Sequence, residues 1–256
     1  MAERKEMKVE LIRHTLLPEE TIALGAKLCY SKAVIEDLKE RIEAKDQAAF
    51  IGKLLGMGHE SVFEHASFTF GIEGVSRVLL AQLTRHRLAS FSVQSQRYVS
   101  YDAGFGYVMP PRIRELGPEA EAEFHRQMEQ MQSWYNEWQE KLGKRGEGSN
   151  EDARFVLPNA CETRNLMTMN VTELRHFFSL RMCNSAQWEI REMATRMHAL
   201  CLEAAPALFA DAGPACLRGK CPEGDKSCGK MAEIRREREA LMERMAGRDE
   251  APSAQP

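Results

Sequence analysis

Phe124, Met128, Met131, Tyr135, Trp138 and Leu142 recur at steps of four, three, four, three and four. That spacing is one apolar stripe along a single long helix. Such a stripe has to be buried, in the core or against another subunit. Gly117-Pro118 opens this helix, Pro110 and Pro111 mark a loop before it, and residues 144–150 read as a polar turn after it.

The rest of the chain mixes both periodicities. Val9 and Leu11 alternate with Lys8 and Glu10, a strand pattern ending near Arg13 or His14, and further strands are expected over 66–72 and 163–169. Pro18 with Glu19 and Glu20 starts a helix. Other helices are expected over 33–44, 46–56 and 75–86, from Asp152 until Pro158 ends it, and from Asn170 onward. Asn184 with Gln187 has the spacing of a capping box. The expected class is α+β, with a small sheet and flanking helices.

Charge narrows the function. A net charge of -3 in 256 residues argues against a general nucleic-acid binder. Residues 1–8 hold no apolar core of a signal peptide, and no run approaches membrane-spanning length, so a cytoplasmic protein without a membrane partner is expected. Against this background the stretch from Gly74 to Tyr101 has no Asp or Glu, while Arg77, Arg85, Arg87 and Arg97 are positive. Ser90, Ser92 and Ser95 add hydroxyls from what reads as a loop, and Gln94 and Gln96 add amides. Guanidinium forks with short hydroxyls fit phosphate oxygens, so a phosphate-bearing nucleotide is the expected ligand. Taken alone, Arg85 to Arg87 could equally be a solvated helix end.

His59-Glu60-Ser61-Val62-Phe63-Glu64-His65 packs two His and two Glu into seven residues. The two His are six apart and would not share a helical face, so no metal site is expected there. Gln82 stands three residues before Arg85, which on a continuous helix places the two side by side. Seven cysteines, an odd number at 29, 161, 183, 201, 216, 221 and 228, do not form a disulfide framework. Cys216, Cys221 and Cys228 lack the paired C-x-x-C spacing of a strong zinc signal.

Arg85-His86-Arg87, two residues, Ser90, four residues, Ser95, one residue and Arg97 together resemble the signature of the flavin-dependent thymidylate synthases, the ThyX family. The H-E-x-x-F-E-H run at 59–65 is similar to that family's. So are the A-R-x-V-L-P run at 153–158, the Asn170 to Arg181 interval, and Ala186-Gln187-Trp188-Glu189-Ile190. Departures are Ser92-Val93, where Asn followed by Glu or Gln is common, Thr172 where Arg can occur, His176 where Asn is frequent and Ser185 where His is frequent.

The resemblance implies a mixed α/β homotetramer with active sites at subunit interfaces. FAD would be the cofactor, dUMP the substrate, methylenetetrahydrofolate the carbon donor and NADPH the reductant. It implies that Gln82, Arg85, Ser95, Gln96, Arg97, Arg154 and Arg181 serve dUMP, with Arg181 catalytic at the uracil ring. It implies that His59, Ser61, Arg85, His86, Arg87, Ser90, Asn170 and His176 serve FAD. Residues 1–212 would form the catalytic domain and 213–256 a cysteine-containing extension, with a charged helix over 230–247 and a disordered tail over 248–256. Two other readings stay open: a non-catalytic nucleotide- or RNA-binding protein, and a cysteine-dependent uracil methyltransferase using Cys183.

Overall fold

The structure, a computed structural model, describes residues 2–249. In chain order its elements are β1 (Glu3–Arg4), β2 (Lys8–His14), α1 (Pro18–Leu28), α2 (Ile35–Glu43), α3 (Ala48–Gly56), a 3-10 helix (Glu60–His65), β3 (Ser67–Ser76), α4 (Arg77–Leu83) and β4 (Ala89–Val93). Then come β5 (Gly106–Tyr107), α5 (Pro111–Glu115), α6 (Pro118–Lys141), α7 (Glu147–Ala153), a 3-10 turn (Arg154–Val156), β6 (Glu162–Asn170), α8 (Val171–Arg181), α9 (Trp188–Ala204), α10 (Pro206–Phe209) and α11 (Met231–Asp249). The mixed α+β class is as expected. The chain forms two compact units, one from residues 2–13 and 68–169, the other from 14–67 and 170–249.

The first unit is built on a four-stranded sheet in the order β2-β3-β6-β4, beside the parallel pair β1 and β5. Alternation on β3 buries Phe68, Phe70 and Ile72. The antiparallel pairing of β4 with β6 sets Ser90 opposite Thr168 and Ser92 opposite Leu166. The stripe on α6 is a core face. Met128 and Tyr135 are buried with Tyr101, Phe105, Tyr107 and Cys161, and Phe124, Met131 and Leu142 pack against them. Trp138 alone of the stripe stays half exposed, at 46%.

Several boundaries differ from expectation. The apolar run after Gly74 suggested a helix from residue 75, yet Val75 and Ser76 finish β3, and Ser76 caps α4 by accepting from the Leu79 N–H. That helix stops at Leu83, so Gln82 and Arg85 do not share one continuous helix. Ser90 and Ser92 lie on β4 and not in a loop, because Ala89, Phe91 and Val93 alternate inward with period two. Pro111 begins the short helix α5 where only a loop was expected. The supposed turn over 144–150 already contains the start of α7. The cap of α9 is Gln187, whose Oε1 accepts from the N–H groups of Glu189 and Ile190 at 3.0 and 3.1 Å, so Asn184 is not the capping residue. Arg248 and Asp249 close α11, and residues 250–256 of the expected disordered tail lie outside the described residues.

The second unit is helical. Its core holds Phe177 and Phe178 of α8, Phe209 of α10 and Met193 and Met197 of α9. Phe178 meets the rings of Phe177, His198 and Phe209 edge-on. Arg175, almost wholly buried, grips Asp211 through two bonds of 2.7 and 2.8 Å and donates to the Leu208 carbonyl at 2.6 Å. Burial would raise the Asp211 carboxyl, but the Arg175 guanidinium outweighs it and holds the group below its usual range.

His198 gives this core a pH dependence. Burial, then the charges of Arg238 and Arg175, depress its pKa to about 4 against the opposing carbonyls of Phe209 and Ala212. The unfolded chain takes up a proton near pH 6.5 and the folded one near 4, so stability is full above 6.5 and falls as pH drops toward 4. The total is on the order of 3 kcal/mol. Unfolding free energies of wild type and His198→Gln from denaturant titrations at pH 7 and pH 4.5 should differ in how much they fall, with the variant losing less on acidification. Equal losses would exclude His198 as the source.

Candidate functional site

In the first unit the turn after β4 is braced from several sides. Gln94 N–H donates to the Arg164 carbonyl at 2.9 Å, and Arg77 donates to the Gln94 carbonyl and to Thr163 Oγ1, both at 3.3 Å. Ser95 Oγ accepts from the N–H groups of Arg97 and Tyr98 at 3.2 and 3.4 Å, which curls the chain and leaves its hydroxyl proton available. Gln96 Nε2 donates to the buried Cys161 Sγ at 3.5 Å.

Arg97 is held by α7. Its guanidinium pairs with Glu147 and, at 3.1 Å, with Glu151, and Asn150 Nδ2 donates to its carbonyl at 3.0 Å. Arg154, one turn on, donates from Nε to the Glu151 carbonyl at 3.0 Å. The structure therefore brings Ser95, Gln96, Arg97 and Arg154 into one neighbourhood. The ion pairs of Arg97 are half exposed, and such pairs hold only about 0–1 kcal/mol, little enough for a phosphate to displace. Glu147 and Glu151 went unnoticed in the sequence. The signal was two carboxylates at i and i+4 just before the A-R-x-V-L-P run.

Arg85 and Arg87 are exposed, and among the described residues neither has a carboxylate partner. Ser90 is exposed on β4, Gln82 is half-buried on α4, and His86 between the arginines is buried at 6%. Burial pushes the Cys161 thiol up to about 12 and the Tyr101 phenol likewise to about 12, so both stay protonated at neutral pH.

In the second unit His59 and Ser61 border a cleft of about 470 Å³ that Ala26, Cys29, Tyr30, Leu54 and Val62 also line. His65, at the far end of the same 3-10 helix, packs against Gly25 of α1, where an added Cβ would stand 3.1 Å from its ring. Thr172 Oγ1 donates to the Glu60 carbonyl at 2.9 Å, tying the first turn of α8 to this helix. Asn170 is the N-cap of α8, its Oδ1 accepting from the Glu173 N–H at 2.8 Å, while its amide N–H groups remain as donors for a ligand. His176 is exposed midway along α8, and Arg181 is half-buried in the last turn, where the helix dipole favours a cation. Asn170 and Arg181 are thus separated by about 16 Å along the helix.

The family profile described as Thymidylate synthase complementing protein matches residues 10–207. A flavin-dependent thymidylate synthase of Geobacter sulfurreducens is 49% identical over 231 residues, 90% of this chain and 97% of that one. The chain belongs to the flavin-dependent thymidylate synthase family. Another flavin-dependent thymidylate synthase, from Clostridium tetani, is 44% identical over 241 residues, 90% of this chain and 96% of the relative. Among solved structures, the UMP/dUMP methylase PolB of Streptomyces cacaoi bound with 5-Br dUMP superposes with a TM-score of 0.62 at 25% identity, covering 81% of this chain and 95% of that one. Membership of a flavin-dependent thymidylate synthase family disfavours both other readings, the non-catalytic binder and the thiol-dependent methyltransferase. No described helix is long and apolar enough to cross a membrane.

Proposed function

We propose that this enzyme converts dUMP to dTMP with FAD as its flavin, methylenetetrahydrofolate as carbon donor and NADPH as reductant. The observation that carries the reading is the braced turn of Ser95, Gln96 and Arg97 with Arg154 beside it across α7. A phosphate arriving at this turn meets the fork of Arg97 and the hydroxyl proton of Ser95, and Glu147 and Glu151 hold that fork in place beforehand. Arg85 and Arg87, exposed and without carboxylate partners among the described residues, suit the diphosphate of FAD, with Ser90 alongside. His86, His59, Ser61, Asn170 and His176 are assigned to the same cofactor, and Gln82 and Arg85 to dUMP. When bound, the flavin supplies the reducing equivalents. Arg181 holds the uracil ring and stabilises negative charge on its carbonyl oxygens as C5 becomes nucleophilic.

A cytoplasmic homotetramer with sites at its interfaces fits the exposed Phe155, Leu116, Leu88 and Tyr98, at 83, 77, 69 and 68%. Residues 1–212 would carry the catalysis and 213–256 extend it.

Titration with FAD should saturate at about one flavin per chain, the expectation for a single specific site. NADPH should bleach it, and dUMP with the folate should give dTMP. A folded preparation that binds no flavin would sink the assignment. Arg97→Ala should weaken dUMP binding about ten- to hundredfold, the contribution of a charge-assisted hydrogen bond, while FAD affinity stays near wild type. Unchanged dUMP affinity in this variant would remove Arg97 from the phosphate site.

A further inference from the structure

The stretch between α10 and α11 has little to hold its shape. It contains two 3-10 turns, Ala215–Leu217 and Gly224–Lys226, and every residue from Arg218 to Lys230 is exposed except the half-buried Cys221. Ordering a backbone costs about 1–2 kcal/mol per residue, and a segment that buries no apolar side chain has nothing of its own to offset that cost. Small elements of this kind are closed by a disulfide or a metal. No disulfide is present, since all seven cysteines are free.

Three cysteines of this stretch fall short of a ligand set, and the fold supplies a fourth. Asn184 Nδ2 donates to Cys228 Sγ at 3.6 Å, which seats Cys228 against the turn between α8 and α9 that carries Cys183. Cys183, Cys221 and Cys228 all lie near enough to Cys216 to act on its thiol. Arg235 of α11 fixes the backbone beneath, donating to the Cys216 carbonyl at 3.0 and 2.9 Å and to the Gly219 carbonyl at 2.7 Å. Gly224 and Gly229, with φ of 52 and 74°, allow the reversals that return the chain to Cys228. Among the described residues no three His, Cys, Asp or Glu side chains stand in a metal-holding arrangement, so ligation would require the thiols to move together.

We propose that Cys183, Cys216, Cys221 and Cys228 form a four-thiolate zinc site that clasps the segment before α11 to the turn after α8. Four thiolates complete a tetrahedral shell, which makes the site structural, and each thiol releases its proton to solvent on binding, with no change of oxidation state. The clasp goes beyond the proposed reaction and does not depend on it.

Metal analysis of protein purified in reducing buffer without chelator, then reconstituted with zinc chloride, should find about one zinc per chain, as one four-ligand site requires. Bound zinc should lower the reactivity of Cys183, Cys216, Cys221 and Cys228 toward a thiol reagent relative to chelator-treated protein, while Cys161 and Cys201 stay buried in both. A strong chelator should lower the melting temperature of wild type and leave that of Cys221→Ser/Cys228→Ser unmoved. Zinc in that double variant should fall about tenfold or more, as expected when two ligands are lost. Should the variant fail to fold, thiol protection in wild type still decides the matter. No bound zinc with these four thiols as reactive as in chelator-treated protein, iron with labile sulfide in its place, or a disulfide among the four would each overturn the proposal.

Discussion

Arg181→Ala is expected to lower the rate of dTMP formation at saturating dUMP by a factor of about 10² to 10³, the cost of removing one preoriented donor from a site of developing charge. Arg181 is carried by the last turn of α8 and half-buried, which restricts where its guanidinium can reach. The loss should fall mainly on kcat, because charge on the uracil carbonyl grows as the ring is activated. Arg181→Lys should recover part of the rate, since it keeps the charge and loses the planar fork. Flavin content should match wild type in both variants. A folded, flavin-loaded Arg181→Ala enzyme with kcat near wild type would take the residue out of the reaction.

Gly74→Ala should cost the fold about 4 kcal/mol, at the severe end of single substitutions. Gly74 has φ of 67°, and an added Cβ would sit 2.0 Å from the Glu6 carbonyl oxygen and 2.6 Å from its carbon. Both obstacles are backbone, so the relief is a shift of the chain before β2 away from β3. That shift would also disturb the bond from the Gly74 N–H to Glu162 Oε1, at 3.2 Å the support of a carboxylate that is 5% exposed. Gly52→Ala makes the control, because nothing lies within 4 Å of the added Cβ and the site is interior to α3. It should stabilise by about 0.5–1 kcal/mol. Urea midpoints measure both, and a Gly74→Ala midpoint equal to wild type would show that the sheet yields at no cost.

Long periodic elements were legible in the sequence because their pattern repeats. The α6 stripe stands where its periodicity put it, the strand now β6 where its β-favouring residues put it, and the first helix where Pro18 with Glu19 and Glu20 opened it. What failed were places where a short polar residue had two possible uses. Ser76 reads as one position inside an apolar run, yet its hydroxyl caps α4 and so ends a strand. Ser90 and Ser92 read as part of a loop, whereas the alternation of Ala89, Phe91 and Val93 around them puts both on a strand. Gln187 competed with Asn184 for the cap of α9, and the capping-box rule chose the wrong one.

The candidate site was legible in its residue types and not in its supports. Arg97 was named from the spacing of the arginine and serine pattern. Its brace was not, because Glu147 and Glu151, a bare i, i+4 carboxylate pair in the sequence, lie fifty residues away and meet it only after α7 has formed. The same holds for Cys183, which no spacing rule could join to three cysteines more than thirty residues downstream.

The two compact units are each assembled from separated lengths of chain, 2–13 with 68–169 and 14–67 with 170–249. On the ribosome the first unit lacks β6 until residue 169 has emerged. Residues 14–67 meanwhile wait for α8 and α9, the latter ending at Ala204, roughly 7–27 s at usual elongation rates of about 5–20 residues per second. During that interval Ile22, Ile51 and Phe63, fully buried in the finished protein, are without their later partners.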